Sequence, residues 1–154
     1  MEGLHIRKAT INDLETLRAF EQGVISTERP WDPTLKGDPN SYYDIEKMID
    51  SPEVELLVAD LNGAIIGSGY ARIEDAKPYL KHAQHAYLGF MYVLPAHRGK
   101  GINKKIIDAL EAWSSQRNIT ELRLDVYAKN EAAIKAYDRA GFSKHMLAMR
   151  KGLR

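Results

Sequence analysis

Two adjoining stretches decide the reading: Tyr87-Leu88-Gly89-Phe90-Met91-Tyr92-Val93-Leu94, and the Pro95-Ala96-His97-Arg98-Gly99-Lys100-Gly101-Ile102 that follows. The first is a near-continuous apolar run, the pattern of a strand buried on both faces. Pro95 stops it. A turn with Gly99 and Gly101 leads into a helix marked by Ile102, Ile106, Ile107, Leu110 and Trp113, which share one face. A strand, a Gly-containing turn and a helix N-terminus together form an anion site. Backbone N–H groups point outward there, the helix dipole favours negative charge, and the glycines admit a bulky ligand. Arg98, Lys100, Lys104 and Lys105 surround it with positive charge. The spacing is neither that of a Walker phosphate loop nor that of a dinucleotide fingerprint, since Lys104 stands where the third glycine would be. A tight connection with no ligand remains an equal reading of the turn by itself.

Outward from this stretch, Leu122, Leu124 and Val126 alternate with polar residues and predict a strand over 121–127. Asn130 caps an alanine-rich helix that ends at Gly141, and Phe142 to Met149 reads as a last strand. Toward the N-terminus, Leu4–Lys8 is a strand. Thr10 and Asp13 form a capping box ahead of a helix carrying Leu14, Leu17, Phe20 and Val24. Residues 27–40 are a loop, and Tyr42, Ile45, Met48 and Ile49 mark a second helix ending near Ser51-Pro52. Asn62-Gly63 joins two strands in a type I′ hairpin. Gly67 and Gly69 on the return strand predict a bulge or a close backbone approach, and residues 74–85 a charged connection. The order is β-α-α-β-β-β-α-β-α-β. Its second half favours parallel pairing of 87–94 with 121–127.

Composition narrows the function. The chain has 154 residues, with 22 Lys plus Arg against 21 Asp plus Glu and no cysteine. That length predicts one domain, 1–154. The missing cysteine excludes a disulfide framework, a thiolate metal site and a thiol nucleophile. Balanced charge argues against nucleic acid or membrane as partner. The five histidines lack metal-ligand spacing, so no metal is expected. Nothing at the N-terminus reads as a signal peptide, which predicts a cytoplasmic location.

The run from Val93 to Asn103 resembles the acetyl-CoA motif of the GNAT superfamily of N-acetyltransferases, R/Q-x-x-G-x-G/A after V-x-P. Arg98 and Gly101 match it, and Asn103 stands where Gly or Ala is usual. Asn130 to Phe142 resembles the family's N-x-x-A-x-x-x-Y-x-x-x-G-F segment. The resemblance covers nearly the whole chain, with residues 1–55 matching only in outline. It implies an α/β (α+β) fold: a mixed, mostly antiparallel sheet flanked by helices, whose two central parallel strands splay apart. It also implies acetyl-CoA as co-substrate. Met91, Tyr92 and Val93 would offer backbone groups to the pantetheine and the acetyl carbonyl. Arg98, Gly99, Lys100, Gly101, Ile102, Asn103 and Lys104 would wrap the pyrophosphate, Asn130 would bond the pantetheine arm, and Tyr137 would reach the thioester sulfur. The acceptor is a primary amine of a small molecule, peptide or protein, and a homodimer is the family's common state.

An amine attacking a thioester must lose a proton, and the leaving thiolate must gain one. Tyr137 is the candidate acid; its plain reading is a core tyrosine. Asp125 is the candidate base, directly or through water, and it matches a glutamate used so in part of the superfamily. A carboxylate paired with Arg123 or Lys129 is the competing reading. His85 is a reserve base, against a solvated loop histidine. The strand 87–94 has no carboxylate, which excludes the version with a glutamate there. Trp31, Tyr42, Tyr43 and Tyr70 are candidates to line an acceptor pocket, or to pack the core. The alternative function is a non-catalytic acyl-CoA-binding sensor or regulatory module of the same fold.

Overall fold

A computed structural model describes residues 1–154. Its elements run β1 (Leu4–Lys8), α1 (Leu14–Glu28), α2 (Ile45–Asp50), β2 (Val54–Leu61), β3 (Ala64–Asp75), β4 (Gln84–Val93), α3 (Ile102–Gln116), β5 (Leu122–Arg123) and α4 (Glu131–Arg139). The sheet order is β1-β2-β3-β4-β5, antiparallel except for the parallel β4–β5 pair. No helix is long and apolar enough to cross a membrane.

Local chemistry explains most boundaries. Asp13 closes the capping box by accepting from Thr10 N at 2.8 Å, and a 3-10 turn at Ile11–Asp13 feeds α1. Asn62 and Gly63 take φ of 53° and 92°, as a type I′ turn requires. The second helix is shorter than expected. The buried Glu21 carboxylate accepts from Tyr42 N and Tyr43 N at 2.8 and 2.7 Å, which holds both residues outside the helix. Asp44 then caps α2 through Lys47 N. The predicted connection 74–85 is tighter as well, since the ladder runs on through Glu74–His85 and Asp75–Gln84.

The sheet carries a core on each face. Leu17 and Phe20 of α1, Ile45 and Ile49 of α2, and Val58, Tyr70 and Phe90 pack on one side. Ile102, Ile106 and Leu110 of α3 pack with Ala59, Ala86 and Leu88 on the other. Leu88 and Phe90 would share a face by strict alternation. They lie in opposite cores because β4 bulges between them. Phe90 has φ +55°, and the β3–β4 register slips between Ser68 and Tyr70. Ser68 Oγ pins the bulge by donating to Phe90 O at 2.9 Å. Gly69 lies opposite it, and a Cβ there would come within 2.6 Å of Met91 Sδ and 2.8 Å of Ile106 Cγ2. The close approach expected at this glycine is thus real.

Two expected strands change. The one over 121–127 reduces to Leu122–Arg123, paired with Ala86 and Tyr87; from residue 124 the chain leaves β4 and the two diverge. Phe142 to Met149 forms no strand. Residues 143–154 are exposed and have no ladder partner. Alternation records that a segment suits a sheet, and a sheet needs a neighbour to bond.

Candidate active site

The parting of β4 and β5 creates the site. Beyond Tyr87, β4 keeps β3 on one side but has no partner on the other. Its open edge runs through the Phe90 bulge to Met91, Tyr92 and Val93. At the far end stands the Gly turn. Gly99 and Gly101 have φ of +78° and +79°, and no atom lies within 4 Å of where either Cβ would be. Gly101 is the N-cap of α3, so no side chain caps this helix. The amides of Ile102, Asn103 and Lys104 therefore sit in the first turn with no intrahelical acceptor. Arg98 does a different job from the one expected of it alone. Its Nε donates to Val93 O at 2.8 Å and its guanidinium lies 5.5 Å from the Tyr92 ring centroid, which ties the turn to the end of β4. Lys104 pairs with Asp108 at 2.8 Å, while Lys100 and Lys105 are exposed.

Across the gap, Asn130 caps α4, its Oδ1 accepting from Ala133 N at 3.2 Å. Its amide NH₂ stays free to donate. One turn and a half further along, Tyr137 stacks edge-on with Phe142 at 5.8 Å. Burial, with help from the Glu28 charge, pushes its hydroxyl up to about 12. Tyr137 is therefore a phenol that keeps its proton at neutral pH.

The candidate bases are placed unequally. Asp125 is exposed and accepts from Tyr87 Oη at 3.1 Å. Its partner is this tyrosine; Arg123 pairs with Glu121 instead. His85 is nearly covered, 3.5 Å from Glu74, at the joined end of β4 and β5. Six residues, or about 20 Å of strand, separate it from Met91.

Sequence reasoning did not find Glu28. It is the last residue of α1 and half-buried, and desolvation raises its carboxyl above the usual range. Its charge reaches Tyr42, Tyr127 and Tyr137. Beyond it, Asp32 accepts from Tyr127 Oη at 2.6 Å and from Thr34, which hold its pKa near about 2. Trp31 packs 6.2 Å from the Tyr127 ring. Thus the end of α1 is fastened over the divergent segment after β5. Trp31 and Tyr42 of the expected pocket lie here, whereas Tyr43 and Tyr70 pack with Phe90 in the core. No group of three or more His, Asp or Glu side chains is arranged to hold a metal.

A splayed strand pair with an uncapped helix at one end and a protonated phenol at the other defines a class: a fold that grips a long anionic carrier and presents its far end for reaction. The pattern of the acetyltransferase (GNAT) family matches residues 21–142. An acetyltransferase of Yersinia pestis (strain Pestoides F) is 31% identical over 128 residues, 80% of each chain. Among solved structures, a mutant of the BH1408 protein of Bacillus halodurans superposes with a TM-score of 0.89 at 19% identity, covering 97% of this chain and 99% of that one. The aminoglycoside N-acetyltransferase AAC(6')-Iy, solved in complex with CoA, gives 0.75 at 19% identity, covering 97% and 99%. The chain belongs to the GNAT family and is an N-acetyltransferase.

Proposed function

We propose that the protein moves the acetyl group of acetyl-CoA directly to a primary amine of a small cationic acceptor, both substrates being bound at once. One juxtaposition carries this reading. The uncapped, glycine-opened start of α3 and the open edge of β4 face a protonated tyrosine across a single gap. The residues suit the co-substrate. Gly99 and Gly101 leave room for backbone to approach phosphates, and the first-turn amides of α3 supply donors with Lys100 and Lys105 nearby. Met91, Tyr92 and Val93 offer an extended edge to the amide-rich pantetheine arm, and the free NH₂ of Asn130 meets it from the other side. The acetyltransferase AAC(6')-Iy has been solved with CoA, which supports the same ligand here.

When bound, the thioester supplies the electrophilic carbonyl. The amine nitrogen bonds to that carbon, backbone N–H groups of β4 at the bulge steady the oxyanion, and the C–S bond breaks. Tyr137 gives its proton to the departing thiolate. The proton shed by the amine goes through water to a carboxylate. Asp125 is one acceptor, but it is exposed and weakly basic. Glu28, half-buried with its pKa raised toward the working range, is the better matched base. Glu28, Asp32 and the rings of Trp31 and Tyr127 give the acceptor side an anionic, aromatic character that favours a protonated amine.

The test is thiol release from acetyl-CoA across polyamines, amino sugars, amino acids and peptides. Turnover on cationic small amines, and little on neutral or acidic ones, is expected; equal turnover across the panel overturns the acceptor assignment. The absence of any carboxylate on β4 favours a second reading, an acyl-CoA-binding sensor. Tight binding of acetyl-CoA without thiol release on any amine would establish that reading.

A further inference from the structure

The largest feature left without a role is the C-terminal segment. Beyond Phe142, whose N–H donates to Tyr137 O at 3.0 Å, the last twelve residues take part in no hydrogen bond or ion pair. Met146, Leu147, Met149 and Leu153 stand 84, 72, 87 and 82% exposed. The run from Phe142 to Met149 has the composition of a strand, with apolar side chains on both of its faces. A soluble chain seldom leaves such a run uncovered.

The same chain also carries an incomplete sheet edge. β5 is the last strand of the sheet, and residues 124–128 extend past its two paired residues with no ladder partner on either side. Val126 is exposed there. Edge and tail are complementary in charge. The tail carries Lys144, Arg150, Lys151 and Arg154 and no acidic side chain, while the edge carries Glu121 and Asp125. The two do not meet within one molecule, because Gly141, at φ +97°, turns the tail off the end of α4 without pairing it to β5. The tail's course is nonetheless shared. The superposition on the Bacillus halodurans chain leaves only 3% of 154 residues, about five, outside it. A segment with almost no contact in its own chain keeps the same path at 19% identity, so something outside that chain holds it.

We propose that the protein is a dimer built by exchange of this segment: residues 142–149 of each copy pair antiparallel with residues 122–127 of the other. The arrangement is isologous, each copy giving a strand and receiving one, and it removes the open edge. It also reaches the active site. α4 has no fully buried residue in a single chain, and its Tyr137 stacks on Phe142, the root of the exchanged segment. The partner's strand closes over the element that holds Tyr137 and Asn130.

Because the chain has no cysteine, introduced thiols are unambiguous. Val126→Cys and Lys144→Cys chains, differently tagged, are co-expressed and treated with a short bis-maleimide. Mass is measured by light scattering on the unmodified full chain. The expected result is a mass of two chains, a covalent link between the 126 and 144 positions of different copies, and a folded monomer when Leu147→Asp and Met149→Asp are combined. A one-chain mass for the unmodified protein overturns the proposal. So does a link formed within one chain of the Val126→Cys/Lys144→Cys double variant, or a dimer in which these positions do not link.

Discussion

Replacing Gly101 by alanine separates the cost of a backbone shape from the cost of blocking a ligand. Gly101 has φ +79°, and a Cβ there would meet no atom within 4 Å. The folded chain therefore objects only to the left-handed backbone, which costs a residue with a Cβ about 1–2 kcal/mol. In a domain of this size each kcal/mol lowers Tm by roughly 2–4 °C, so the loss should be roughly 2–8 °C. Gly63 in the β2–β3 hairpin provides the control, with φ +92° and equally open space. Gly63→Ala should lose a similar amount of stability. The two variants should part in binding. At Gly101 the new methyl lies where α3 turns its first amides toward the phosphates. A loss of about 1.4 kcal/mol there is a tenfold rise in the KM for acetyl-CoA; at Gly63 the KM should not move. Thiol release against acetyl-CoA concentration, alongside thermal scans with and without CoA, reads both quantities. Similar Tm losses with an unchanged KM in both variants would refute the idea that this turn cradles the phosphates.

Tyr137→Phe should lower kcat by roughly 10²-fold, a usual loss for one general acid, while the KM for acetyl-CoA changes little; steady-state kinetics at neutral pH decide it. Glu28→Gln should lower kcat and remove the acid limb of the pH–rate profile, whereas Asp125→Asn keeps that limb. Since burial raises the folded-state pKa of Glu28, its ionisation opposes folding, and stability is lost as pH rises through that pKa. The same Glu28→Gln variant should therefore melt no lower than wild type at pH 7. Arg7 donates to both oxygens of the buried Asp13, at 2.9 and 3.0 Å, and holds its carboxyl below the usual range. That contribution is present above the unfolded carboxylate pKa of about 4 and is lost as pH falls through the lower folded value. Arg7→Met should cost about 2 kcal/mol at pH 7, at the modest end because the guanidinium is 30% exposed, and should move acid unfolding to higher pH in melts from pH 2 to 6.

What the sequence revealed follows from how far each signal reaches. The Asn62-Gly63 turn, the Thr10–Asp13 box and the Asn130 cap are settled by atoms within a few residues, and all three form as read. The strand–turn–helix at 87–116 was also legible, because a doubly buried strand and an amphipathic helix each carry a strong period. The failures lie where a distant group decides. Tyr42 fits a helix by spacing, but Glu21, twenty-one residues away, takes its amide. Glu28 shows nothing in the sequence, because its role comes from tyrosines on three other segments. Phe142 to Met149 has a strand's pattern and no strand partner in its own chain, a fact about neighbours that one chain's periodicity cannot hold.

The contact of Ile106 with Gly69 and Met91 has a consequence for how the protein tolerates change. α3 offers its first turn to the phosphates and, one turn later, presses through the missing Cβ of Gly69 onto the back of the Phe90 bulge. The two ends of a long ligand are thus gauged by one rigid spacer. A substitution that enlarges Gly69 or reshapes Ile106 does not merely loosen a core. It resets the distance between the phosphate grip and the point where the acyl carbon must lie. Changes at these two positions should be tolerated together more readily than singly, and their effects on kcat should be strongly non-additive.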